Sequence, residues 1–105
     1  MRIIALKTLK EFQKHFPKAD EALLSWYEET EDAEWKNHNE LKEQFGNASI
    51  ISAKRVIFNI HGNDFRLIVD IEYKFGIVFI IWFGTHKDYN NLDINNLRYV
   101  KTNKK

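Results

Sequence analysis

Between Phe58 and Tyr89 the chain reads FNIHGNDFRLIVDIEYKFGIVFIIWFGTHKDY. With the β-rich residues that precede it, this stretch forms three runs separated by turns too short for anything but antiparallel strands. The runs are Arg55–Ile60, Phe65–Tyr73 and Ile77–Phe83. In the first turn, His61-Gly62-Asn63-Asp64, the central Gly-Asn is expected to supply the positive-φ positions of a tight hairpin. The second turn is Lys74-Phe75-Gly76. Alternation puts Val56, Phe58 and Ile60 on one face of the first strand, and Arg55, Ile57 and Asn59 on the other. In the second strand Phe65, Leu67, Val69, Ile71 and Tyr73 share a face, opposite Arg66, Ile68, Asp70 and Glu72. Arg66 and Asn59 therefore belong to the same, more polar side. The third run is apolar on both faces, as an interior strand is. It ends in Gly84-Thr85-His86-Lys87-Asp88-Tyr89, where side chains able to move protons replace the hydrophobic pattern.

Upstream, Arg2–Leu6 reads as a short strand at or beside a sheet edge. Thr8 with Glu11 has capping-box spacing, and Leu9, Phe12 and Phe16 form the stripe of a helix that Pro17 stops. A second helix is expected from about residues 18–20 to Asp32, with Ala19, Ala22, Leu23, Trp26 and Thr30 on its inner face. Trp26 and Trp35 read as core or core-rim residues. A short helix over Glu40–Phe45, capped by Asn39 and closed by Gly46-Asn47, completes the set. Leu97–Val100 is expected to pack briefly before a frayed basic tail over 101–105. The resulting fold class is α+β: an N-terminal strand and a helical hairpin packed on a small, mainly antiparallel sheet. At 105 residues, with 44% hydrophobic content, a single domain with its own core is expected over 1–105.

Composition removes several chemistries. There is no cysteine, hence neither a disulfide framework nor a thiolate metal site. The four histidines, at 15, 38, 61 and 86, lack metal-ligand spacing, and no metal or other cofactor is expected. Ser25, Ser49 and Ser52 stand outside any nucleophile-elbow sequence, and no glycine-rich phosphate loop occurs. The N-terminal residues lack a small-residue cleavage site, and the longest apolar run is far too short to span a bilayer. A cytoplasmic location without membrane association is therefore expected. The net charge of +1 is segregated: +4 over residues 1–18, −7 over 19–43 and +4 over 44–105. The acidic segment is either a solvated helix face or a surface for a basic partner.

Two readings of the strand end remain open on chemistry alone. His86 and Tyr89 can simply cap and pack the end of the sheet. Alternatively, His86, Lys87 and Tyr89 with Arg66 form a metal-free phosphate site. Cleaving RNA requires removal of the 2′-hydroxyl proton, charge stabilisation at phosphate and a proton for the departing 5′-oxygen. Imidazole suits either proton role, guanidinium grips phosphate in bidentate fashion, and lysine adds a compact charge. Tyrosine can stack on an unpaired base. Asp70 and Glu72 can form a carboxylate pair, although cross-strand ion pairs with Arg55 and Arg66 are more ordinary.

The pattern Phe58-Asn59-Ile60-x-Gly62-Asn63-x-Phe65-Arg66-Leu67, followed by Gly84-Thr85-His86-Lys87-x-Tyr89, resembles the HigB family of bacterial toxins, part of the RelE/ParE superfamily. The order of elements agrees along nearly the whole chain. The resemblance implies a toxin that cuts messenger RNA on the translating ribosome. It also implies a HigA-type helix-turn-helix antitoxin as partner, with operator DNA bound only through that complex. Carried over by position, it implies Arg66 for phosphate charge and His86 as general acid or base. Lys87 becomes an auxiliary cation, and Tyr89 a stacking or proton-relay group. Asn59 and Asn63, which match the first motif, and His61 and Arg55, which stand outside its fixed positions, are the expected RNA contacts; Asn63 can equally serve the hairpin turn and Asn59 brace the site by hydrogen bonding. The superfamily also includes inhibitors of DNA gyrase, and a degenerate RNA- or partner-binding module is a third alternative.

Overall fold

The computed structural model describes residues 1–97; the expectations for Arg98–Val100 and for the tail over 101–105 fall outside the described residues. The elements, in order, are β1 (Arg2–Ile4), α1 (Leu6–His15), a 3-10 turn (Pro17–Ala19), α2 (Asp20–Asp32), α3 (His38–Gln44), β2 (Ser49–Ile50), β3 (Arg55–Ile60), β4 (Phe65–Glu72), β5 (Ile77–Thr85), the single helical turn α4 (His86–Tyr89) and a second 3-10 turn (Ile94–Asn96). The five strands form one mixed sheet in the order β1-β5-β4-β3-β2. β1 runs parallel to β5, and all other pairings are antiparallel. The architecture is α+β, as the sequence indicates. Neither the parallel pairing of β1 nor the two-residue edge strand β2 is visible in the local pattern, because both are set by partners distant in sequence.

Helix starts differ from expectation for local reasons. β1 ends at Ile4, and the chain turns at once through Ala5, whose φ of 80° is left-handed, so α1 begins at Leu6 without a side-chain cap. Thr8 then lies inside the first turn rather than at its entrance. For α3 the cap is Asn37, not Asn39: its side chain accepts the Glu40 N–H at 2.9 Å while the Glu40 carboxylate accepts the Lys36 N–H at 2.8 Å. This reciprocal arrangement satisfies two donors at the helix entrance that would otherwise lack partners. α2 follows the sequence reading closely, with Ala19, Leu23, Trp26 and Thr30 buried.

All three longer helices contribute to one core against one face of the sheet. Leu9 from α1, Leu23 and Trp26 from α2 and Leu41 from α3 join Val56, Phe58, Leu67, Val69, Ile71 and Val78. Phe58 is the aromatic hub, its ring centroid 5.0 Å from Phe45, 5.4 Å from Trp26 and 6.5 Å from Trp35. Offset and edge-on ring pairs of this kind contribute about 0.5–1.5 kcal/mol each beyond area burial. Trp35 and Trp26 are therefore core residues, as expected.

One irregularity sets the register. Ile68 pairs with Trp82, but Val69 pairs with Ile80, leaving Ile81 as the extra residue of a β-bulge. The bulge switches the alternation of β5 partway along. Val78 and Ile80 face the helices, and beyond the bulge Phe83 does too, stacked on Phe65 at 5.3 Å. Gly84 consequently lies opposite Arg66 on the other face.

A polar tie closes the far end. His38 Nε2 lies 3.0 Å from the Ser52 carbonyl, which only accepts, so that nitrogen carries the proton. When the ring is neutral, its Nδ1 accepts from the Tyr73 hydroxyl at 2.6 Å. Burial pushes the Tyr73 phenol up from 10.0 to about 12. Below pH 10 folded and unfolded chains both hold this proton. As pH rises from 10 towards 12 the unfolded chain releases it first, so stability falls across that window. Urea midpoints measured at either end of the window should therefore fall more for the native chain than for Tyr73→Phe. Equal losses would show that another group is responsible.

A candidate phosphate site at the hairpin tip

The β3–β4 turn is organised by its own backbone. His61 and Gly62 adopt left-handed φ values of 56° and 65°. The positive-φ positions are thus His61-Gly62, one residue earlier than the expected Gly62-Asn63. Histidine tolerates this conformation better than β-branched residues do. Its Nδ1 lies 2.8 Å from the Asp64 carboxylate. Asp64 also joins the two motifs of the chain: its carbonyl accepts the His86 N–H at 3.0 Å. From sequence alone, aspartate at a hairpin tip is ordinary turn chemistry. Its link to β5 exists only after the strands have paired.

α4 is short but well started. The Thr85 hydroxyl accepts the Asp88 N–H at 3.1 Å, the bond of an N-cap. On one helical turn, residues i and i+3 are neighbours. His86 and Tyr89 accordingly share a side, their rings 6.3 Å apart and inclined by 22°. The Arg66 guanidinium carbon sits 5.7 Å from the centre of the Tyr89 ring. Arg66 Nη1 donates to the Asn63 carbonyl at 3.1 Å and the Phe65 carbonyl at 3.2 Å, which holds one edge of the fork and leaves the group half-buried. Arg66, Tyr89 and His86 therefore form a row at the junction of the β3–β4 tip and the end of β5.

The remaining expected site residues fall into three groups. Asn59 is the direct cross-strand partner of Arg66 and is half-buried. Asn63 contributes its backbone carbonyl to Arg66, and its side chain is exposed. Lys87 is exposed, about 100° round the helical turn from His86 and so off the side that His86 shares with Tyr89. His61 stands on the opposite flank of the tip, 6.4 Å from the core-facing Phe65 ring.

Arg55 is a correction. It is 7% exposed, its Nε and Nη2 each donate to Asp70 at 2.7 Å, and its Nη1 donates to the carbonyls of Ile94 and Leu97 at 2.8 and 2.7 Å. Every nitrogen of the guanidinium is engaged with the protein, at the opposite end of the β3–β4 pair from Arg66, which gives it a structural role in place of the expected RNA contact. Asp70 is likewise an ion-pair partner, not half of a carboxylate pair. Among the described residues, no three histidine, aspartate or glutamate side chains converge as a metal site requires.

Gly84 lies under the Trp82 side chain. A Cβ built there would lie 2.6 Å from two Trp82 ring carbons, because the indole folds across the glycine. Gly84→Ala should therefore displace Trp82 and destabilise the chain by about 1–3 kcal/mol, the range for overpacking. A urea midpoint unchanged from the native value would show that the indole moves freely.

The protein is thus a small α+β domain in which a hairpin tip and a strand end bring a guanidinium near a tyrosine ring and an exposed imidazole, groups chemically able to hold an anion such as phosphate. The family model described as HigB_toxin, the RelE-like toxic component of a toxin–antitoxin system, matches residues 19–92. That span is 74 of the 105 residues and includes every member of the row. The chain belongs to this family: it is a RelE-like toxin of a toxin–antitoxin system, with an antitoxin as its partner. No match was found among curated proteins. Among the described residues no helix is long and apolar enough to cross a membrane.

Proposed function

We propose that the protein is an endoribonuclease that cuts messenger RNA on the translating ribosome, and so halts translation until an antitoxin neutralises it. The observation that carries this reading is the Arg66–Tyr89–His86 row, with Arg66 5.7 Å from the tyrosine ring. In the reaction, the 2′-oxygen loses its proton and forms a bond to phosphorus. The P–O5′ bond breaks, and the 5′-oxygen takes up a proton. The products are a 2′,3′-cyclic phosphate and a 5′-hydroxyl, with no metal needed in the step.

Arg66 stabilises the charge that builds on the non-bridging oxygens. His86 supplies or removes one of the two protons, and it is held for this by the Asp64 carbonyl at its backbone N–H. Tyr89 provides a face on which an unpaired base can stack. Lys87 adds to the positive field over the RNA, and Asn59 and Asn63 lie where they can contact the nucleotides flanking the phosphate. The partner on this reading is a HigA-type helix-turn-helix antitoxin, and operator DNA is bound through the complex.

Induction of the chain without an antitoxin, followed by mapping of new message ends, tests the proposal. New ends inside translated regions, ending in cyclic phosphate upstream and hydroxyl downstream, are expected. Intact messages accompanied by arrested replication and DNA damage would instead identify a gyrase-directed toxin.

A further inference from the structure

Two of the three tryptophans pack in the core against other rings. Trp26 is 2% exposed and lies edge-on to Phe58, and Trp35 is 5% exposed against Phe45 and Phe58. Trp82 differs on both counts: it is half-buried, and among the described residues no aromatic ring lies against it. Its side chain belongs to the face of the sheet away from the helices, since Trp82 pairs with Ile68 and the next residue, Phe83, turns into the core. There the six-membered ring of the indole lies across Gly84, with Cζ2 and Cη2 each 2.6 Å from where a Cβ would stand. A Cβ at this position would hold the ring off the backbone. The indole therefore rests on its own strand, and the part of it that does not is what solvent reaches.

Register puts this ring beside the cation of the candidate site. Gly84 is the direct cross-strand partner of Arg66, and residues so paired have Cα atoms about 4.5–5.5 Å apart. Arg66 thus has the glycine beneath the indole directly across the strand pair and the Tyr89 ring 5.7 Å from its guanidinium carbon. The charges on this face suit an anion at this end. The two carboxylates that β4 presents there are matched, Asp70 by Arg55 and Glu72 by Lys54. Arg66 has no carboxylate partner among the described residues; its guanidinium donates to the carbonyls of Asn63 and Phe65.

Two flat rings beside one such cation fit a ligand that joins flat rings to phosphates. Single-stranded RNA has this form, whereas a duplex hides its ring faces within its own stack. We propose that Trp82 is a stacking platform for single-stranded RNA, taking the base next to the one over Tyr89 while Arg66 holds the phosphate between them. The indole contributes affinity and alignment and takes no part in proton transfer. The inference rests on the RNA-cutting reading for its place in a reaction, but the binding it describes can be measured without cutting.

The test follows tryptophan emission of the full chain as a short RNA, 2′-O-methylated so that it cannot be cut, is added; affinity is read separately from the anisotropy of a label on that RNA. Unpaired RNA should quench part of the emission, and the same RNA annealed to its complement should not. Trp82→Phe should abolish the quench, because the responding indole is gone, yet keep affinity within about threefold, because a flat ring remains. Trp82→Leu should bind about tenfold more weakly. Salt separates stacking from charge: the slope of log affinity against log salt should be unchanged in Trp82→Leu and fall by about 0.7 in Arg66→Ala, which removes one phosphate contact. Emission that unpaired RNA leaves unchanged, a quench that survives in Trp82→Phe, or native affinity in Trp82→Leu would overturn the platform. Messages cut by the native chain alongside any of those results would leave the nuclease reading standing. A quench that depends on Trp82 in a chain that cuts no message would uphold the platform and defeat the nuclease reading instead.

Discussion

Arg66→Ala should lower the single-turnover rate of message cutting by about 10²–10³-fold, the loss seen when one group aimed at developing transition-state charge is removed. The substitution removes the permanent cation of the row with Tyr89 and His86, and its structural cost is small. Arg66 is half-buried, and among the described residues its guanidinium donates to two backbone carbonyls, those of Asn63 and Phe65, at 3.1 and 3.2 Å. Urea denaturation should accordingly show a shift of about 1 kcal/mol or less. Arg66→Lys is the informative companion. It keeps the charge but loses the planar fork, so it should recover part of the rate and remain well below the native protein. His86→Ala should act in the same direction while leaving the fold intact, since the bond to Asp64 is made by the backbone. A double variant of Arg66 and His86 that still cuts at the native rate would remove this row from the mechanism altogether.

Arg55→Ala should instead destabilise the fold by about 3–5 kcal/mol, the usual cost of deleting one partner of a buried, fully bonded ion pair. The loss leaves the Asp70 carboxylate, about 25% exposed, without its two-armed partner, and leaves the Ile94 and Leu97 carbonyls without their donor. Residues 94–97 would then lose these two hydrogen bonds to the sheet. Against a total stability of 5–15 kcal/mol for a domain, that is a large fraction. Urea denaturation measures it directly. The pair of variants also separates the two arginines of the polar face: Arg66→Ala should remove cutting with the fold kept, and Arg55→Ala should weaken the fold first. An Arg55→Ala protein of native stability that no longer bound RNA would reverse the assignment made from its contacts.

Much of this architecture is written in short-range pattern. Alternation in Arg55–Ile60 and Phe65–Glu72, two tight turns between apolar runs, and the inner stripes of α1 and α2 each follow from periods of two and 3.6 residues. Those patterns are local, so neighbouring residues suffice to express them. They also place Asn59 and Arg66 on one face, and the cross-strand register agrees. The placement of Arg66 beside Asn59 and of His86 beside Tyr89 follows for the same reason: strand parity and i, i+3 spacing are properties of the chain itself.

What the chain could not express locally depends on partners far away in sequence. The bulge at Ile81 is invisible in a run that is apolar on both faces, yet it alone turns Phe83 into the core and sets Gly84 opposite Arg66. Arg55 and Arg66 look alike on alternating strands; pairing with Asp70 and the arrival of residues 94–97 make one a structural cation and leave the other at the surface. Asp64 reads as a turn residue until β5 returns beside it and His86 donates to its carbonyl. The run from Phe58 to Tyr89 thus holds the side chains of the proposed site, while long-range pairing, through the desolvation and hydrogen bonding it imposes, decides which of them stay at the surface.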